Sequence, residues 1–181
     1  MKYAVFFRGV NVGGHGKLPM AELRTALEEA GFSDVSTYLA SGNAVVGVSG
    51  RSSAAKVEER VRDAVVAGFG ACPDLVVRTN AELTKVIDAN PFPKAADSKP
   101  AWFHVFFTSA PPDPKAEIDD AKLGPDSYAF GDRCVYLHFV NSPGTSRSGE
   151  IVCREAFRKN KGAFATARNW NTVLAMAERT A

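Results

Sequence analysis

The chain has 181 residues, 45% hydrophobic and 23% charged, with a formal net charge of +2, a profile that excludes a disordered tail or a collagen-like repeat and leaves a globular protein. The charge is too small to demand a nucleic-acid or membrane partner, and no apolar run approaches the about 20 residues a membrane helix needs. Met1-Lys2-Tyr3 leads into a strand-like run rather than a secretory leader, so the expected location is the cytoplasm. Cys72, Cys134 and Cys153 are odd in number and lack C-x-x-C spacing, which points to free thiols rather than a disulfide framework or zinc ribbon.

Lys2 to Arg8 is β-branched and aromatic enough for a strand. The Gly-rich stretch after it ends at Pro19, a favoured first helical position, and Met20, Leu23, Leu27 and Ala30 repeat at helical spacing up to Gly31. Val35 to Ala40 and Ala44 to Val48 read as strands joined through Ser41-Gly42-Asn43. Ser52 or Ser53 caps a helix with the stripe Ala54, Val57, Val61, Ala64 and Val65, and Asp74 to Thr79 is a fourth strand. The order β-α-β-β-α-β is ferredoxin-like. Asn80 is the expected cap of a short helix with Leu83, Val86 and Ile87, and Pro91 to Pro100 reads as a linker.

Trp102 to Phe107 is apolar on both faces and hence a central strand. Pro111 to Leu123 is a polar connection with one helical turn, and a hairpin follows around Gly131-Asp132. A helix from about Gly149 to Lys159 presents Val152, Cys153, Ala156 and Phe157 inward. A last helix, Thr172 to Arg179, is capped by Asn169 or Asn171 and buries Val173, Leu174 and Met176. The expectation is an α+β chain of two ferredoxin-like (βαββαβ-type) halves with mostly antiparallel sheets. Residues 1–79 form the first half, 80–100 a linker helix and Pro-rich connection, and 101–181 the second half with the C-terminal helix. No sequence repeat is visible, so the duplication rests on element order.

Both ends are basic. Residues 1–17 hold Lys2, Arg8 and Lys17 and no acid, and residues 147–181 hold seven basic residues against three acids. The Gly-rich loop Arg8 to Lys17, with Asn11, Gly13 and Gly14, lies between a strand and a helix, where backbone N–H groups can face an anion. It lacks both nucleotide signatures, since a P-loop needs Gly at Asn11 and Ser or Thr at Leu18, and no G-x-G-x-x-G register exists. The alternative is a glycine-permitted connection with surface charges. The second candidate is the run from Thr166 to Thr172. There Arg168, Asn169, Trp170 and Asn171 either face an anion and a stacked base or serve as cap, core anchor and buried cation. Ser41-Gly42-Asn43 is a hairpin turn with a hydroxyl and an amide, without a nucleophile elbow. His15, His104 and His138 have no metal-ligand spacing, and neither a metal nor a cofactor is indicated.

Arg8 to Gly14, Lys17-Leu18-Pro19-Met20, Ser41-Gly42-Asn43, Asn90-Pro91-Phe92 and Thr166 to Thr172, in this order and spacing, together resemble the bacterial family called domain of unknown function 1697. The resemblance spans nearly the whole chain. It implies an α+β protein of ferredoxin-like halves and brings no activity, substrate or catalytic residue.

The function these residues favour is binding of a phosphate-bearing small molecule or nucleic acid at one site formed by Arg8, Asn11, Gly13, Gly14, Lys17, Ser41, Asn43, Arg168, Asn169, Trp170 and Asn171. Nucleic acid is the weaker of the two ligands, because Ala44-Val45-Val46-Gly47-Val48 lacks the aromatic pattern by which a ferredoxin-like sheet stacks RNA bases. One alternative is a structural or interaction module whose motifs are caps and interdomain contacts. The other is an enzyme of unknown reaction using Arg168, Lys17, His15 and Ser41, against which stands the lack of any nucleophile, base and orienter set.

Overall fold

A computed structural model of the chain describes residues 1–11 and 16–181. Its backbone divides into two compact units, Met1–Thr84 with Ala175–Ala181, and Lys85–Leu174. The last turns of the C-terminal helix therefore belong with the first unit.

In the first unit, β1 (Lys2–Phe7), α1 (Met20–Glu29), β2 (Ser33–Tyr38), β3 (Asn43–Gly47), α2 (Ala54–Phe69) and β4 (Leu75–Thr79) follow one another as the periodicities predict. The sheet order is β2-β3-β1-β4 with every neighbour antiparallel, which is the split βαβ arrangement. Tyr3, Val5 and Phe7 of β1 join Ala44, Val46, Leu75 and Val77 in a core closed by Leu23 and Leu27 of α1 and Val57, Val61 and Val65 of α2. Truncating a fully buried member such as Leu27 to alanine would cost about 2–5 kcal/mol. Tyr3 is a core residue whose hydroxyl donates to the Ser52 carbonyl.

The ends of the helices follow local chemistry. Pro19 stands just before α1 in extended conformation (ψ 124°), one position earlier than expected. Ser53 caps α2 by accepting from Lys56 N–H, and Gly70 ends it in the left-handed region. The next helix, α3 (Asn80–Asp88), is capped by Thr79 rather than Asn80. Thr79 Oγ1 accepts from Glu82 N–H at 3.1 Å while the Glu82 carboxylate accepts from Thr79 N–H at 2.7 Å, a reciprocal capping box. Asn80 instead donates to Ala177 O and Thr180 Oγ1.

The expected linker contains a helix of its own, α4 (Pro93–Ser98), with Pro93 at its first turn and Ala95 and Ala96 buried. Then come β5 (Phe103–Thr108), the short α5 (Asp120–Leu123), β6 (Ser127–Gly131), β7 (Cys134–His138), α6 (Ser148–Ala156), β8 (Ala165–Asn169) and α7 (Trp170–Thr180). The order β6-β7-β5-β8, again fully antiparallel, repeats the topology of the first sheet with α5 shrunken to one turn. Val152 of α6 packs with Leu123, Val135, Leu137 and Phe139, against which Phe106 also lies. On the other side Phe103 is flanked by Trp170 at 4.9 Å, Phe92 at 5.9 Å and Tyr136 at 6.3 Å between ring centroids.

Two expectations are corrected. The run from Thr166 to Asn169, for which no strand was expected, is strand, because each residue pairs in unbroken register with central β5, as Thr166 with Phe107 and Arg168 with Val105. Leu174 is 41% exposed, whereas Val173 and Met176 are buried.

Candidate functional site

Twelve residues separate the end of β1 from the start of α1, about twice the usual strand-to-helix connection. The described part of this loop is closed at its neck. Asn11 N–H donates to Gly16 O at 3.1 Å, and the Asn11 amide donates to Leu18 O and Ala40 O at 2.8 Å while accepting from Leu18 N–H at 2.9 Å. Asn11 itself sits at φ 56°, a region where asparagine is among the best tolerated non-glycine residues. Gly16, at φ +63°, comes so near the Gly9 carbonyl that a Cβ would stand 2.9 Å from its oxygen. Gly13, Gly14 and His15 lie outside the described residues, so the roles expected of them have no geometry here.

Arg8 and Lys17, which flank this neck in the sequence, are both exposed. Arg8 Nη1 pairs with Asp74 at 3.0 Å, and both side chains are about half exposed. The turn from Leu39 to Gly42 lies against the loop through the Asn11 to Ala40 bond. At Gly42, φ +83°, a Cβ would stand 2.3 Å from Val10 Cγ2, so glycine is required there. Ser41 is exposed. Asn43 is fully buried and gives its amide to Tyr38 O at 2.8 Å and to Ser41 Oγ at 3.3 Å. Asn43 thus closes the hairpin and Asn11 braces the loop.

The second run is organised differently. Arg168 is 7% exposed, and its guanidinium donates to Thr166 Oγ1 at 2.8 Å and Ala167 O at 2.7 Å. Burial lowers its pKa to about 10, still charged at neutral pH. Asn169 Oδ1 accepts from Thr172 N–H at 3.0 Å and caps α7, Trp170 is buried against Phe103, and Asn171 is exposed. The ring expected to stack a base is a core anchor.

Sequence reading missed a twin of this run. In the first unit Arg78, 2% exposed, stands immediately before the cap Thr79 and donates to the carbonyl of the preceding residue, Val77, as Arg168 does to Ala167. Arg78 faces Ala4 of central β1, and Arg168 faces Val105 of central β5. The strand-Arg-cap-helix junction is therefore duplicated. Its sequence signal is Arg78-Thr79-Asn80-Ala81-Glu82-Leu83 against Arg168-Asn169-Trp170-Asn171-Thr172-Val173, too short and divergent to register as a repeat.

A second constellation also went unread. The Asp126 carboxylate accepts from Ser146 Oγ at 2.6 Å, Ser148 Oγ at 2.8 Å and Val140 N–H at 2.9 Å, beside an open depression of about 320 Å³ at the start of α6. Burial pushes this carboxyl up, but the three hydrogen bonds together outweigh it and leave its pKa below the usual carboxylate value. The network ties α6 to the loop after α5. His104 donates from Nε2–H to Ala101 O at 3.1 Å, and burial lowers its pKa.

The family described as "Protein of unknown function (DUF1697)" matches residues 1–136. The chain belongs to this family. Among solved structures, the conserved bacterial protein SP0830 from Streptococcus pneumoniae is similar over 99% of this chain and 98% of that one, with a TM-score of 0.73 and 19% identity; at that identity it shows the shared fold. No curated protein matches the chain. Among the described residues no helix is long and apolar enough to cross a membrane, and no three His, Cys, Asp or Glu side chains gather as a metal site.

Proposed function

We propose that the chain binds a phosphate-bearing small molecule at the loop from Arg8 to Lys17 and the adjoining Ser41-Gly42-Asn43 turn. The observation that carries this reading is the brace. A connection twice the usual length is held by three hydrogen bonds from one asparagine side chain, and a mere connection needs no such ordering. Arg8 and Lys17, which flank it in the sequence, are exposed, with no acid in residues 1–17. The Arg8 to Asp74 pair does not oppose binding strongly, because an exposed pair is worth about 0–1 kcal/mol and a phosphate offers the guanidinium a bidentate partner. Arg168, Asn169 and Trp170 are assigned to the fold of the second unit rather than to this site.

The test is thermal unfolding against inorganic phosphate, pyrophosphate, mononucleotides and a short RNA, at low and high salt. A ligand at a hundred times its dissociation constant adds about 2.7 kcal/mol, and in Lys17→Ala the same ligand concentration should add no more than about half of that, without loss of basal stability. The burial of the polar run around Arg168 favours a second reading, an interaction module whose motifs serve the fold. No rise with any anion would favour that reading.

A further inference from the structure

We propose that the outer edge of β6 joins the β6 edge of a second copy of this chain, in antiparallel two-fold fashion. β6 ends its sheet. Among the described residues its hydrogen bonds run to β7 and to nothing else, so alternate backbone N–H and C=O groups face outward. Proteins protect such edges with charge, proline or bulges. Three of the four edge strands have one of these: β2 carries Asp34 at φ 49° and a register break between Ser33 and Ser36, β4 carries Arg78 and β8 carries Arg168. β6, Ser127-Tyr128-Ala129-Phe130-Gly131, carries no charge and no proline, and its register with β7 is unbroken.

The pattern of β6 also says which occupant it suits. It reads small-aromatic-small-aromatic-small in both directions. A two-fold axis through Ala129 sets Ala129 against Ala129 and Tyr128 against Phe130 twice, the aromatic cross-strand pairs that stabilise a sheet. Tyr128 and Phe130 already lie 5.3 Å apart between ring centroids along the strand and are half-buried over the α6 core, so the four rings would form one row across the joint. A copy of the same strand therefore satisfies the backbone and the side chains at once. Asp126 and Asp132 fall opposite each other just outside the five paired residues, so added salt should tighten the association rather than weaken it.

Sedimentation velocity of the full chain over micromolar concentrations, joined to hydrogen–deuterium exchange at a dilute and a concentrated setting, tests this. The expected result is a reversible dimer, tighter in salt, in which concentration protects amides of 127–131 and leaves those of 33–38 unchanged. Ala129→Lys and Ala129→Glu should each be monomeric, through like charges facing across the axis, and their equimolar mixture should dimerise again. A wild-type monomer throughout, or a dimer whose β6 amides exchange equally at both concentrations, overturns the proposal even if both variants fail to fold.

Discussion

Replacing Asn11 separates what its side chain does from what its backbone requires. Asn11→Ala removes three side-chain hydrogen bonds and forces alanine to φ 56°. Each bond contributes about 0.5–1.5 kcal/mol; Asn11 is exposed and two of its bonds are only partly buried, so values in the lower half of that range, about 0.7 kcal/mol each, apply and the three bonds sum to about 2 kcal/mol. The left-handed backbone adds about 1 kcal/mol for alanine. Asn11→Gly removes the bonds but not the conformational tolerance, so it should lose about 1 kcal/mol less than alanine, offset in part by glycine's entropy in the unfolded chain. Asn11→Asp keeps the acceptor for Leu18 N–H and loses both donors, and it places a negative charge where a phosphate would approach. Urea unfolding at constant m-value measures the order, with a loss of about 3 kcal/mol for alanine lowering Tm by roughly 6–12 °C in a chain of this size. Equal stability of Asn11→Ala and wild type would refute the brace. An alanine variant that is destabilised but binds phosphate with wild-type affinity would refute its link to the site.

Three other outcomes follow from the geometry. Arg168→Ala should cost about 3 kcal/mol in urea unfolding, through lost packing and loss of the guanidinium's hydrogen bonds to Thr166 Oγ1 and the Ala167 carbonyl, while leaving phosphate affinity per folded molecule unchanged. Asn169→Ala should lose about 1 kcal/mol by removing the α7 cap, and Asn169→Ser or Asn169→Asp should restore most of it by the same measurement. Both His104 and Asp126 have folded pKa values below their unfolded ones, so the folded state binds fewer protons and stability falls as pH falls. The His104 contribution is complete above its unfolded value of 6.5 and is lost below it; the Asp126 contribution is complete above 3.8 and is lost as pH falls through its lower folded value. Chemical denaturation across this range should show both steps, with the lower one reduced in Asp126→Asn and the remainder carried in part by Asp113, whose carboxyl the Lys159 hydrogen bond also holds below its ordinary value.

Strands and amphipathic helices were legible because their apolar spacing is local: Leu23 and Leu27, or Val57, Val61 and Val65, identify their faces without any tertiary information. β8 was not legible. Its Ala-Thr-Ala-Arg-Asn composition has no strand signal of its own, and it is a strand because central β5 offers a partner edge. The caps were legible as well. Ser53 and Asn169 were readable as cap types, and Thr79 carries the Thr-x-x-Glu spacing of a capping box with Glu82, which decides against Asn80 although asparagine ranks higher by residue type alone. The candidate site was readable as a list of polar residues but not as roles: Asn11 braces, Asn43 closes a hairpin and Trp170 fills a core, distinctions set by burial and partners rather than residue type. The Asp126 network joins positions 20 and 22 residues apart, with no local pattern to announce it.

If the braced basic loop is an anion site, calorimetric titration of pyrophosphate into wild type, Lys17→Ala and the Arg8→Ala, Lys17→Ala pair at low salt reads it directly. The expected result is saturable binding by wild type, at least tenfold weaker in Lys17→Ala and absent in the double variant, with all three equally folded. Binding of the same strength in all three, or none by wild type, would contradict it.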